Sequence, residues 1–257
     1  MVKLRIFQLY EWDRIIYMDA DMLVRKNLDH LFFLPDSSHI AGPRVYFQQF
    51  PGRPNYFCSC MMVFTPEKHM WDRILTWYKP DGYVKEEKLY DMDLLNREFI
   101  DEATVLPGIY EMLSAHLESE DEWKHQLKKV PYMEKKLGMP NKSWEEIYNA
   151  TSVIHFTGLK PNLEKTLDMI KRKKPKSDSR FYAIYERYFT LASQMAYSTR
   201  KGLPLYVICS AGTDDNIAQH HDDSPRIGAD WADHASLWRR DGFIRYHIAV
   251  ETILAMK

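Results

Sequence analysis

Two acidic residues, Asp19 and Asp21, are separated by one position and directly follow a short apolar run at residues 14–18. The run shows no apolar–polar alternation, which is typical of a buried strand in a parallel sheet. Open α/β sheets bind ligands at the carboxyl ends of their strands, and residues i and i+2 of an extended chain point the same way. Two carboxylates at this spacing can therefore bind one divalent cation, Mg²⁺ or Mn²⁺, which can also hold a diphosphate. The alternatives are two solvated loop aspartates or a helix cap.

A second group of potential metal ligands lies in a polar loop near the end of the sequence. No helix or strand pattern fixes the geometry of these side chains, so their spacing is weak support for metal binding. The group comprises His220, His221, Asp222 and Asp223, with Asp214 and Asp215 nearby.

The three cysteines, Cys58, Cys60 and Cys209, form an odd and sparse set, which is not a disulfide framework. Cys58 and Cys60 are too close together to bridge easily, and the pair lacks the further ligands of a zinc site. We therefore expect free thiols that are buried or half-buried.

Strand and helix patterns alternate along the first 160 residues or so. This order predicts an α/β architecture with a mainly parallel sheet. Strands are predicted at residues 14–18, 40–42, 57–64 and 152–156, and helices at residues 3–11, 27–33, 67–78 and 91–100.

The composition changes at a basic run, residues 171–176, which predicts a solvated face or a linker. We accordingly divide the chain into a core, residues 1–170, and a helical C-terminal extension of unknown role, residues 171–257. A long aromatic helix is expected at residues 181–199. A last helix is expected from about residue 230, with aromatic side chains that face a core or a partner.

Composition excludes several classes of protein. With 45% hydrophobic residues among 257, wholesale disorder is not expected, and a net charge of −1 gives no basic field for nucleic acid. No apolar run reaches the roughly 20 residues of a transmembrane helix. We expect a soluble protein, cytoplasmic or Golgi-luminal if an N-terminal anchor is missing from this sequence, with the compartment otherwise unknown.

Four segments, in the same order, resemble glycosyltransferase family 8, the family that includes glycogenin and galactinol synthase. Residues 3–32 resemble its core, with Tyr-Met-Asp-Ala-Asp and Asn-Leu-Asp-His-Leu-Phe in register. Residues 57–66 resemble its Asn-Ser/Ala-Gly strand, and residues 91–96 its Asp-Gln-x-Leu-Leu-Asn helix. Residues 155–161 resemble its His-x-x-Gly-x-Lys-Pro turn. The resemblance covers roughly residues 1–165.

This resemblance implies a GT-A fold, a UDP-sugar donor and retention of the anomeric configuration. It also implies that Asp19, Asp21 and His155 are ligands of Mn²⁺ (or Mg²⁺), and imidazole favours Mn²⁺ over Mg²⁺.

The resemblance implies further roles for four residues around the donor. Gly158 and Lys160 would contact the diphosphate, because glycine permits close backbone approach and lysine supplies a point charge. Lys3 would be another basic contact to the donor. Asp91 would lie near the transferred sugar and is the candidate catalytic residue.

The sequence departs from the family pattern in three ways. Cys58 and Cys60 replace the family's Asn and Gly, and Met92 replaces its Gln. The βα region that holds uracil and ribose in the family is expected before residue 1, on the order of 60 residues at about 30 per βαβ unit. An N-terminally truncated sheet should expose an apolar edge near residues 14–18, which would promote association into a homo-oligomer or lower the solubility unless residues 180–257 cover the gap.

The sequence thus predicts a metal-dependent hexosyltransferase that moves a sugar from a UDP-sugar to the hydroxyl of an unknown sugar, polyol or protein acceptor. One alternative is a catalytically inactive fragment or interaction module. Another is a metal-dependent hydrolase that uses the cluster at residues 220–223.

Overall fold

The computed structural model describes residues 2–48, 55–79, 84–85, 89–130 and 132–200. The last helix, predicted from about residue 230, and the His220–Asp223 cluster lie outside these residues.

Within the described residues, short strands form two mixed sheets. The four-stranded sheet has the order β1-β4-β3-β5, and the three-stranded sheet has the order β2-β7-β6. The strands are β1 Ile15–Met18, β2 Met22–Val24, β3 Ile40–Pro43, β4 Met61–Phe64, β5 Thr104–Leu106, β6 Met112–Leu113 and β7 Val153–His155.

The strand directions correct one prediction. Strand β4 is antiparallel to both β1 and β3, and β2 is antiparallel to β7, whereas only the β3–β5 and β6–β7 pairs are parallel in the described structure. The α/β class is confirmed, but the sheets are mixed rather than mainly parallel. An apolar run without alternation shows that both faces of a strand are covered, and it does not specify the direction of the neighbouring strand.

Helices flank both sheets, and those predicted at residues 67–78, 91–100 and 181–199 are present. The α-helices are α1 Lys68–Leu75, α2 Asp91–Phe99, α3 Glu120–Lys129, α4 Met133–Leu137, α5 Trp144–Ala150, α6 Pro161–Glu164, α7 Leu167–Lys173 and α8 Ser179–Arg200. Short 3-10 helices span Val2–Gln8, Asp29–Phe33, Gly108–Tyr110 and Ser114–Leu117.

One apolar core lies beneath the four-stranded sheet. Leu4 and Phe7 of the first 3-10 helix pack with Phe64 of β4 and Phe99 of α2, and the Phe7 and Phe64 ring centroids are 4.3 Å apart. Burial of these rings stabilises the start of the chain against β4. This packing places Lys3, which precedes Leu4, beside the sheet.

A second core lies beside the three-stranded sheet and includes part of α8. Phe181 and Tyr185 are buried in the same cluster as Ile154 and Phe156. The basic residues 171–173 end α7 on an exposed face, where they also complement the helix dipole. The division of the chain at residue 170 stays a prediction.

Strand β1 stands at one end of its sheet within the described part of the chain, and its four side chains are half-buried. This is the edge at which we expect association, and the homo-oligomer itself stays a prediction. Among the described residues, no helix has both the length and the apolar character needed to cross a membrane.

A buried histidine makes the second core sensitive to acid. His116 is 7% exposed, and its Nδ1 lies 3.1 Å from the hydroxyl of Tyr46. That hydroxyl accepts the Leu113 N–H, so its own hydrogen is available to a neutral His116. Burial lowers the pKa of His116 from 6.5 to about 4.

We expect the free energy of unfolding to fall as the pH drops from about 6.5 toward 4. The unfolded chain binds the His116 proton more tightly than the folded protein, so acid favours unfolding by up to about 3 kcal/mol. Urea unfolding of the wild type and of His116→Asn, which cannot take up this proton, should give a shallower pH dependence for the variant. Equal pH dependence in the two proteins would contradict the assignment.

Candidate metal and donor site

The segment that contains Asp19 and Asp21 connects the two sheets. Strand β1 ends at Met18 in one sheet, and β2 begins at Met22 in the other. The N–H of Asp19 donates to the carbonyl of Cys60 at 2.8 Å, and the N–H of Phe156 donates to the carbonyl of Asp21 at 2.9 Å. Each aspartate is therefore fixed by its backbone to a different sheet.

This geometry changes the reason why the two aspartates lie at one site. Residues 20 and 21 form a turn, so the extended-chain argument from positions i and i+2 does not hold here. His155, the third of the predicted metal ligands, ends strand β7 and contacts Asp21 at the junction of the two sheets. Its register opposite Met22 in the β2–β7 ladder places its ring beside Asp21.

The His155 ring is held between two carboxylates. Its Nδ1 lies 2.9 Å from Oε1 of Glu111, and its Nε2 lies 3.5 Å from Oδ1 of Asp21. Glu111 is 1% exposed, so its carboxylate depends on this contact for charge compensation. Burial disfavours the imidazolium, but hydrogen bonds with Asp21, Cys60 and Glu111 outweigh burial and raise the pKa of His155 to about 12.

Lys160 reaches the same aspartate from the turn after β7. Its ammonium contacts Oδ2 of Asp21. Burial raises the pKa of Asp21, but the hydrogen bonds from His155 and Lys160 outweigh it and hold that pKa well below its usual range. Gly158, in the same turn, has φ of +80°, and a Cβ added there would meet no atom within 4 Å. The turn thus offers open space beside a lysine.

Lys3 joins Asp19, the other aspartate of the pair, to helix α2. Its ammonium lies 3.1 Å from Oδ1 of Asp19 and 2.8 Å from Oδ2 of Asp91, the first residue of α2. Asp91 also accepts a hydrogen bond of 2.6 Å from Ser59, and Asp19 accepts one of 2.7 Å from Tyr17. Although burial raises the pKa of Asp91, the bonds from Lys3 and Ser59 prevail and lower it.

These side chains have the chemistry of a divalent-cation site. Two carboxylates and an imidazole suit Mn²⁺, and the buried carboxylate on the far nitrogen of the imidazole is a common way to orient a metal-binding histidine. The four carboxylates of the cluster face two lysines, so two negative charges remain uncompensated when the histidine is neutral. A divalent cation would balance that charge, and the donor set fits such an ion.

The structure places six of the seven predicted residues in two neighbouring groups of ion pairs, one around Asp19 and one around Asp21, and Gly158 lies in the adjoining turn. Sequence reasoning missed Glu111, Ser59 and Tyr17. Tyr17 precedes Asp19 by two positions, so strand alternation could have indicated it. No local pattern marks Glu111, which approaches His155 only because β6 and β7 pair in parallel.

The two described cysteines are free thiols, as expected, with Cys58 buried and Cys60 half-buried. Ligand atoms of Asp19, Cys60 and His155 all lie within 4.8 Å of one another. Met92, which replaces the family's Gln, is half-buried. Like Cys60, it packs against a small buried cluster of Val45, Tyr56 and Cys58.

Comparison with known proteins gives the class of the chain. The sequence model described as "Glycosyl transferase family 8" matches residues 1–166. The chain therefore belongs to glycosyl transferase family 8, and its mixed sheets with flanking helices agree with the GT-A class expected from the resemblance.

Curated relatives cover different parts of the chain. Galactinol synthase 1 of Solanum lycopersicum is 28% identical over 187 residues, which is 60% of this chain and 58% of the relative. Glucose N-acetyltransferase 1 of Aspergillus fumigatus is 34% identical over 113 residues, 42% of this chain and 29% of the relative. The chain thus spans between about a third and three fifths of these relatives.

Among solved structures, the glycosyltransferase GlyE in Streptococcus pneumoniae, in its apo form, is similar to this chain with a TM-score of 0.44 and 16% identity. The match covers 74% of this chain and 46% of that chain. A likeness this loose adds nothing to the account of the site.

Replacing Glu111 by Gln should weaken Mn²⁺ binding about 10- to 100-fold, the usual effect of removing a carboxylate that orients a ligand histidine. Isothermal titration calorimetry would measure it. Glu67→Gln is the matched control, because the half-buried Glu67 also lies 3.0 Å from a histidine, the exposed His39, but belongs to neither group of ion pairs around Asp19 and Asp21. Equal Mn²⁺ affinity in both variants would contradict the orienting role of Glu111.

Proposed function

We propose that this chain is a metal-dependent glycosyltransferase that moves a hexosyl group from a UDP-sugar to an acceptor hydroxyl with retention of configuration. The observation that supports it best is that His155 lies 3.5 Å from Asp21 and within 4.8 Å of Asp19, with Lys3 and Lys160 at the margins of the site. Family membership supports the same reaction class.

Asp19, Asp21 and His155 would hold the metal. When bound, Mn²⁺ or Mg²⁺ would compensate the charge that develops on the departing UDP. His155 must bind as the neutral imidazole, so it gives up its proton, and Glu111 keeps Nδ1 occupied so that Nε2 faces the carboxylates.

Lys160 and Gly158 would bind the diphosphate. Lys160 now pairs with Asp21, and a donor phosphate offers it a second anionic partner in the same place. A glycine at position 158 leaves the space above the turn open, so that phosphate oxygens can approach the backbone. Lys3 adds positive charge on the other side of the aspartate pair.

Asp91 would act at the sugar. Lys3 and Ser59 keep its carboxylate ionised and fix its orientation at the start of α2. An anion in this position can attack the anomeric carbon as a nucleophile. It can also stabilise positive charge on the sugar while the acceptor attacks from the face that UDP leaves. Either route retains the configuration.

The acceptor is a sugar, a polyol or a protein hydroxyl. The names of the relatives point to different substrates. For example, the putative UDP-glucuronate:xylan alpha-glucuronosyltransferase 4 of Arabidopsis thaliana, 24% identical over 200 residues, covers 76% of this chain and 29% of its own length. Its name states a UDP-sugar donor, which supports that part of the proposal.

Asp21→Asn should abolish Mn²⁺-dependent UDP binding and lower transfer or donor hydrolysis by at least about 10²–10³-fold, since it removes one charge from the cation site at little change in volume. Calorimetry with UDP in the presence and absence of Mn²⁺, followed by turnover of UDP-glucose and UDP-galactose, would measure both effects.

Two variants make this experiment specific. Asp36→Asn makes the same change on an exposed loop and should match the wild type. Asp91→Asn should keep Mn²⁺-dependent UDP binding but lose turnover. Undiminished UDP binding in Asp21→Asn would refute the proposed metal site. UDP binding without turnover in the wild type would favour the alternative of a catalytically inactive fragment or interaction module.

A further inference from the structure

Cys60 lies where a metal held by Asp19 and His155 would meet it. Its sulfur, a carboxylate oxygen of Asp19 and a ring nitrogen of His155 are all within 4.8 Å of one another. In a tetrahedral zinc site with bonds of about 2.0 and 2.3 Å, the ligand atoms lie roughly 3.3–3.5 Å apart. A contraction of at most about 1.5 Å would therefore bring all three atoms onto one ion.

The backbone fixes the thiol in this place. The carbonyl of Cys60 accepts the N–H of Asp19 at 2.8 Å, immediately before β4 begins. The thiol is half-buried and lies beside His155, whose ring is held by Glu111. The sequence lacked the further ligands that a zinc site needs around a Cys-x-Cys pair, and the fold supplies them from other strands.

Cys58 is not equivalent to Cys60. It also lies within 4.8 Å of Cys60 and Glu111, but it is 1% exposed and packs with Val45 and Tyr56. Glu111, the remaining member of that group, is engaged by His155. Of the two described thiols, Cys60 is therefore the one beside Asp19 and His155.

We propose that Cys60 is an additional ligand of the metal held by Asp19, Asp21 and His155, and that it gives this site a preference for thiophilic cations, above all Zn²⁺, over Mn²⁺ and Mg²⁺. The proposal rests on the metal site of the proposed function. Thiolate is a soft ligand that selects zinc, whereas carboxylates alone suit magnesium and manganese. On binding, a sulfur–metal bond forms and the thiol proton passes to solvent.

The test compares Cys60→Ser with the matched variant Cys58→Ser, both in the full chain with a non-thiol reductant. Co²⁺ serves as a spectroscopic probe for zinc. The wild type and Cys58→Ser should show thiolate-to-cobalt charge-transfer absorption in the near ultraviolet, and Cys60→Ser should lack it. Competition titrations should show a Zn²⁺ affinity at least about 10-fold lower in Cys60→Ser, since even an outer-shell partner is worth that much. The Mn²⁺ affinity should fall by a smaller factor, so that the ratio of Zn²⁺ to Mn²⁺ affinity drops.

Charge-transfer absorption that persists in Cys60→Ser, or an unchanged ratio of Zn²⁺ to Mn²⁺ affinity, would overturn the proposal. Absorption lost only in Cys58→Ser would overturn it too, because the other thiol would then be the ligand. Circular dichroism checks that both variants fold, and Cys60→Ala and Cys58→Ala replace them if either does not.

The variant Asp21→Asn separates the two levels of the account. If it retains Mn²⁺ and Co²⁺ binding, the metal site itself is wrong. If it loses both while Cys60→Ser behaves as the wild type, the metal site stands and only the role of Cys60 fails.

Discussion

Electrostatic balance at the junction of the two sheets is the constraint on which the site depends. Asp19 and Asp21 are anchored to different sheets, and each is compensated by a lysine from elsewhere in the chain. Buried or half-buried carboxylates are costly unless they are paired, so these lysines stabilise the junction when no other cation is present. The same ion pairs also suit the site to its ligands. A divalent cation can replace the lysines as the partner of the aspartates, and a diphosphate can replace the aspartates as the partner of the lysines.

Lys3 and Lys160 therefore have two partners in the proposed cycle. Each contacts an aspartate in the described structure, and each lies where an anionic donor would be bound. Exchange between these partners costs little if the total charge stays balanced. The buried Glu111 remains with His155 throughout and keeps the ring in place. Cys60 adds a softer ligand at the same junction, so the choice of metal depends on a residue outside the aspartate pair.

Much of this arrangement could be predicted from the sequence. The β1 and β4 runs, the α1 and α2 helices and the ordered motifs located Lys3, Asp19, Asp91 and His155 without any coordinates. The strand directions could not be predicted, because apolar runs report burial and not pairing. Glu111 was missed for a related reason, since its contact with His155 arises from the long-range pairing of β6 with β7. The sequence shows no further metal ligands near the Cys-x-Cys pair, because its partners come from distant strands.

Crystals soaked with Mn²⁺ and UDP, with diffraction recorded at the manganese absorption edge, would test the central claim most directly. The account predicts one strong anomalous peak in contact with Asp21 and His155, with the diphosphate of UDP beside Lys160. A strong peak at another position would contradict it. So would the absence of a peak at saturating Mn²⁺ while Lys160 remains paired with Asp21.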